Sequence, residues 1–172
     1  LVLYYTQSES EVGLDLLTHK RAGEDGYFVL MAAPKPRLDD RVLPKDIVFV
    51  FDTSGSMAGE KIEQAKKALQ FCLNSLDPRD QFNLMRFSTD VQHWRPAMTA
   101  ATRDHVREAV AFVQEFQARG GTNIHEALQA GLKSIEAAGN GRPRMIVFMT
   151  DGLPTVGVTN SEQILKDTAP GA

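Results

Sequence analysis

"DIVFVFDTSGSMAGEKI" occupies residues 46–62, and two textures meet inside it. Ile47 to Phe51 is an unbroken apolar run of strand length, the pattern of a strand buried on both faces. The run stops at Asp52, and Thr53, Ser54 and Ser56 follow at once. A carboxylate and three hydroxyls therefore stand at the end of the most hydrophobic strand.

Working outward, Lys61 to Leu76 predicts a helix with Ile62, Ala65, Leu69, Cys72, Leu73 and Leu76 on one face. Phe82 to Phe87 and Val91 to Trp94 read as strands, and the turn Ser88 to Asp90 is too short for a parallel crossover, so they pair antiparallel. Further helices are expected over about Arg103 to Ala118 and Ile124 to Ala138, a strand over Met145 to Thr150, and a short helix over Ser161 to Asp167 capped by Asn160. Alternating strands and helices with continuous apolar strands predict an α/β fold: a doubly wound, mostly parallel sheet with one antiparallel strand and helices on both faces. Such sheets bind ligands at the carboxyl ends of their strands, where the strand order reverses.

The first third is different. Leu1 to Thr6, Glu11 to Leu17 and Tyr27 to Ala32 are short extended stretches, and Ala33 to Asp46 carries three prolines and seven charged residues, as a linker does. Residues 1–43 are expected to be a short β-rich extension with its linker, and residues 44–172 the main domain. The chain opens on Leu1, which predicts that it starts inside a longer protein.

Composition narrows the function. With 19 Lys and Arg against 22 Asp and Glu, the chain has no positive field to gather nucleic acid or anionic membrane. Its apolar runs fall far short of the ~20 residues of a membrane-spanning helix. Cys72 is the sole cysteine, which excludes an internal disulfide and a thiolate metal cluster.

"VFVFD" ends at Asp52 and "IVFMTD" at Asp151, so parallel neighbours would bring both carboxylates to one rim. Two unpaired acids there repel, and a divalent cation between them is the simplest remedy. Ser54, Ser56 and Thr122 of "GGTN" add oxygen donors without sulfur or imidazole, a set suited to Mg²⁺, Mn²⁺ or Ca²⁺. Gly55, Gly120 and Gly121 allow tight turns and close backbone approach.

Asp52, Ser54 and Ser56 as D-x-S-x-S after a hydrophobic strand, with Thr122 and Asp151 downstream, resemble the metal-ion-dependent adhesion site (MIDAS) of von Willebrand factor type A domains. "FDTSGSM", "GGTNIHEAL" and "TDGLPT" are similar to the heavy chains of inter-alpha-trypsin inhibitor, and "EVGLDLLTHKRAGEDGYFVLMAAP" to the close of their VIT (vault protein inter-alpha-trypsin) domain. The resemblance implies a Rossmann-like fold and a non-enzymatic, extracytoplasmic protein-binding module. Ser54 and Ser56 would bind the ion directly, Thr122 directly or through water, and Asp52 and Asp151 largely through water. An inner shell of hydroxyls and water leaves the ion enough charge to accept an Asp or Glu of a protein partner. The family continues past the Asp151 loop through further strands, so the strand ending there is expected to present an open edge prone to self-association.

Two other functions compete. A Mg²⁺-dependent phosphohydrolase of the haloacid-dehalogenase type keeps its nucleophile at the same place, but uses D-x-D where this chain has Ser54, which cannot act as a general acid or base at neutral pH. A scaffold with a vestigial site is the third reading. His19, His93, His105 and His125 show no ligand spacing. Cys72 reads as core, Asn123 as a helix cap, Met57 as packing or rim, and Arg142 and Arg144 as a solvated turn.

Overall fold

The computed structural model describes residues 12–19, 27–34, 43–138 and 141–169, which fall into two compact units divided between Val42 and Leu43. The first unit holds a two-stranded antiparallel sheet, β1 (Val12–His19) and β2 (Tyr27–Pro34), with Leu16 opposite Leu30. The strand expected at Leu1 to Thr6 lies outside the described residues.

The second unit begins with β3 (Asp46–Asp52), buried at every residue as its apolar run requires. It continues through α1 (Glu60–Asn74), β4 (Gln81–Phe87), β5 (Val91–His93), β6 (Thr99–Ala100), α2 (Arg103–Gln114), α3 (Ile124–Glu136), β7 (Arg144–Met149) and α4 (Ser161–Thr168). The sheet order is β5-β4-β3-β7, with β3 parallel to both neighbours. The chain steps from β3 to β4 in one direction and later returns to place β7 on the other side of β3. The strand order therefore reverses between β3 and β7, the position where doubly wound sheets open a crevice at their carboxyl ends.

Right-handed crossovers in opposite directions put helices on opposite faces. Phe49 and Phe51 pack with Leu69 and Leu73 of α1 and with Ala109 and Val113 of α2. Val48 and Val50 pack on the other face with Ala127 and Ile135 of α3. Aromatic pairs add to the packing: Phe51 of the sheet meets Phe116, just past α2, at 5.1 Å, and Phe87 and Phe148, both of the sheet, meet at 5.2 Å between centroids. The fully buried rings of Phe51 and Phe87 and the buried ring of Phe116 each contribute about 1.5–3 kcal/mol through removal from water.

β5 runs antiparallel to β4 as the hairpin predicts, and Thr99–Ala100 forms a second antiparallel pairing, with Gln81 and Phe82. Two residues carry no period that sequence reading can detect. The helix expected to reach Ala118 ends at Gln114, because the following segment is spent elsewhere: Arg119 donates its backbone N–H to the carbonyl of Thr53 at 2.8 Å. Phe116 remains buried, held by a turn from its N–H to the Val113 carbonyl. Met57 is core rather than rim. Cys72 is half-buried against the same core. Arg142 is no merely solvated turn residue: it donates to the Arg79 carbonyl at 2.9 Å and lies 3.7 Å from the buried carboxylate of Asp46.

Candidate metal centre

The site grows from the register of β3 and β7. Phe51 stands opposite Met149, so the next positions are Asp52 and Thr150, and the Thr150 hydroxyl donates to Asp52 Oδ2 at 2.6 Å. The other oxygen, Oδ1, accepts the backbone N–H of Ser54 at 2.7 Å. Asp52, fully buried, thus pins both the turn that follows it and the end of the neighbouring strand.

Ser54 opens a 3-10 turn over Gly55–Met57, yet its side chain makes no capping bond. Its hydroxyl lies 3.0 Å from that of Ser56, which donates to Asp151 Oδ1 at 2.8 Å. A hydroxyl carries one proton, and that of Ser56 is committed to Asp151, so Ser54 is the donor between the two serines. Two hydroxyl oxygens and a carboxylate form one chain whose protons all point toward the acid.

The third loop arrives through its backbone. Gly55 donates to the carbonyl of Gly120 at 3.0 Å, and a Cβ on Gly55 would stand 3.4 Å from that oxygen. It is room against this neighbour, not a left-handed backbone, that suits Gly55. Gly120 does have φ +79°, and a Cβ on Gly121 would fall 2.3 Å from Val156 Cγ2. Thr122 is buried, its N–H bonded to Thr155 Oγ1 at 2.9 Å and its carbonyl to the Thr155 N–H at 2.9 Å. Ser54, Ser56 and Asp151 are thus joined by side chains, and Asp52 by the backbone of Ser54. Thr122 reaches the group only through its loop, its hydroxyl entering none of these bonds. Asn123 caps α3 as expected, accepting the N–H of Glu126.

One participant escaped the sequence reading. Lys61 places its ammonium 2.6 Å from Asp151 Oδ2 and 3.3 Å from the carbonyl of Ser56. The hydrogen bond from Lys61, reinforced by that from Ser56, holds the Asp151 carboxyl below its usual range. The expected repulsion between the two strand-end acids is thereby answered within the chain itself. A signal did exist: Lys61 is the second residue of α1, where a cation opposes the helix dipole and calls for another reason to be there.

Among the described residues no group of three or more His, Cys, Asp or Glu could hold a metal ion, so an ion at this rim would draw on hydroxyls and solvent besides the two aspartates. Two of the histidines make local contacts: His105 Nδ1 meets the Ala100 carbonyl at 2.9 Å and His125 Nε2 meets Asp167 at 3.1 Å.

The profile of the von Willebrand factor type A domain matches residues 45–170. The chain belongs to that family. It is similar to human inter-alpha-trypsin inhibitor heavy chain H4, with 42% identity over 82% of this chain and 16% of that protein. Pig heavy chain H2 is 36% identical over 92% of this chain and 18% of its own length. The chain therefore spans about one-sixth of these relatives. Among solved structures, the von Willebrand factor type A protein from Catenulispora acidiphila superposes with a TM-score of 0.64 at 16% identity, over 95% of this chain and 39% of that one. The likeness of fold extends to the von Willebrand domain of the type V pili tip protein Mfa5 from Porphyromonas gingivalis, with a TM-score of 0.56 at 17% identity over 65% of this chain and 39% of that one. Within the von Willebrand A domain described here, the matched stretch contains every residue of the Asp52–Asp151 cluster and the lysine that binds it.

Proposed function

We propose that this von Willebrand A domain is a divalent-cation-dependent, adhesion-type protein-binding module. Mg²⁺, Mn²⁺ or Ca²⁺ would be held by Ser54, Ser56 and Thr122, with Asp52 and Asp151 completing the site. The observation that carries this reading is the Ser54–Ser56–Asp151 chain at the switch point, with an ammonium already drawn to its acid. A cationic group on Asp151 shows that this end of the rim accommodates positive charge.

The donor chemistry fits the ion. The Ser54 proton goes to Ser56 Oγ and the Ser56 proton to Asp151, which leaves lone pairs on hard oxygens for a cation. Neutral hydroxyls neutralise little of the ion's charge, so when bound it supplies a Lewis-acidic position for a carboxylate of the partner. Asp52 orients the turn through the Ser54 N–H, and Thr122 presents its hydroxyl from a loop clamped by Thr155. The partner of this reading presents an Asp or Glu, the protein is secreted or cell-surface, and residues 1–43 are the closing part of a VIT domain. Ser54 stands where a D-x-D phosphohydrolase carries its second acid, and binding is the proposed role in preference to catalysis.

The test is a thermal melt in chelator followed by titration with Mn²⁺ or Mg²⁺. A ligand that binds only the folded state raises its melting temperature, by the equivalent of about 2.7 kcal/mol at a hundred times the dissociation constant. A melting curve indifferent to millimolar Mn²⁺, Mg²⁺ and Ca²⁺ alike refutes the proposal.

A further inference from the structure

The rim includes a cation of the protein's own. Lys61 Nζ stands 2.6 Å from Asp151 Oδ2, the same carboxylate whose Oδ1 accepts the Ser56 hydroxyl, and also donates to the Ser56 carbonyl at 3.3 Å. The Lys61 side chain is 61% exposed while Asp151 is only 17% exposed, so the lysine reaches in from solvent to a more enclosed acid. Its stem starts in the first turn of α1, where its charge opposes the helix dipole, and the contact with Asp151 offsets that cost. Nothing packs the ammonium in place, and it can swing outward without disturbing the core.

We infer that Lys61 is a tethered competitor for the divalent ion, occupying Asp151 in the metal-free domain and withdrawing when the ion enters. The inference rests on the metal-binding reading proposed above. An ion held by the serine hydroxyls beside Asp151 would be repelled by an ammonium on the same carboxylate, and opening the Lys61–Asp151 pair relieves that repulsion. The lysine therefore weakens metal affinity and at the same time keeps the empty acid neutralised. The arrangement tunes the domain to a threshold of free cation below which the acid is closed by the protein's own ammonium.

Isothermal titration of the full chain with MnCl₂ at neutral pH, comparing wild type, Lys61→Met and Lys61→Arg, tests this. Lys61→Met removes the charge but keeps the stem, and is expected to bind Mn²⁺ roughly tenfold tighter, from an opened exposed ion pair and the loss of a like charge near the ion. Lys61→Arg is expected to stay within about twofold of wild type, since its charge persists. In parallel melts, the Mn²⁺-induced rise should be larger for Lys61→Met than for wild type, while circular dichroism confirms the common fold. Equal or weaker Mn²⁺ binding by a folded Lys61→Met overturns the competitor role and leaves the metal site standing. Absence of Mn²⁺ binding in all three proteins overturns the site and the competitor together.

Discussion

Replacing Asp52 in two ways separates its role in the fold from its role toward an ion. Its carboxylate accepts the Ser54 N–H at 2.7 Å, closed to water, and at 2.6 Å the hydroxyl of Thr150, an exposed residue. In Asp52→Ala both acceptors vanish. The Thr150 hydroxyl has a fallback in the Gly152 carbonyl at 3.5 Å, whereas the Ser54 N–H is stranded. A stranded buried donor costs about 1–3 kcal/mol, and the small void adds about 1 kcal/mol, giving a total of about 2–4 kcal/mol. Asp52→Asn keeps an oxygen for the Ser54 N–H and turns its amide toward Thr150, whose hydroxyl rotates to accept. Only the charge is lost, at about 1 kcal/mol. Urea unfolding in chelator, followed through Trp94, measures both. Trp94 is the sole tryptophan, lies in the second unit and stacks on Phe82 at 5.3 Å, so its fluorescence reports this unit. Both variants are expected to lose the response to Mn²⁺, and Asp52→Ala alone to lose substantial stability in its absence. Equal destabilisation of the two, or none in either, refutes the assignment of Asp52 as the pin between turn and strand.

Phe51→Ala should cost about 3–5 kcal/mol in the same assay, because the ring is fully buried between α1 and α2 and packs on Phe116. Gly121→Ala forces a methyl to within 2.3 Å of Val156 Cγ2, and the resulting shift should weaken the Thr122–Thr155 clamp and reduce the Mn²⁺-induced rise in melting temperature. Asp77 titrates well below the usual carboxylate range because the Arg79 side chain and backbone N–H both bond to it. A depressed folded pKa stabilises fully above the unfolded value of about 4 and loses that stabilisation as pH falls through the folded one. Asp77→Asn should therefore be less stable than wild type at pH 7, with the gap closing as unfolding curves are recorded at progressively lower pH below about 4.

The sheet and its helices were legible because burial on both faces leaves continuous apolar strands such as Ile47 to Phe51, and one-sided burial leaves helical spacing such as Ile62, Leu69 and Leu73. Strands that end alike raised the parallel pairing of β3 with β7 as a condition, and the register meets it. What sequence could not give was the use of each polar atom. Spacing places Asp52 and Asp151 at one rim, but only register shows that Thr150 faces Asp52, and only side-chain geometry shows that a lysine five residues beyond Ser56 folds back onto Asp151. The early end of α2 was hidden for a similar reason: Glu115 to Ala118 favour a helix locally, and a backbone bond from Arg119 to the distant Thr53 outweighs that preference.

The bonds that close the rim span 95 residues between Ser56 and Asp151, and 98 between Asp52 and Thr150. Contacts so remote along the chain form only after the intervening segments have collapsed. During synthesis the serine turn consequently waits, unfinished, until β7 has emerged and docked beside β3. The proposed recognition by this rim is thus reserved for molecules that have completed their fold, and a local opening that peels β7 from β3 would silence it before the rest of the sheet gives way.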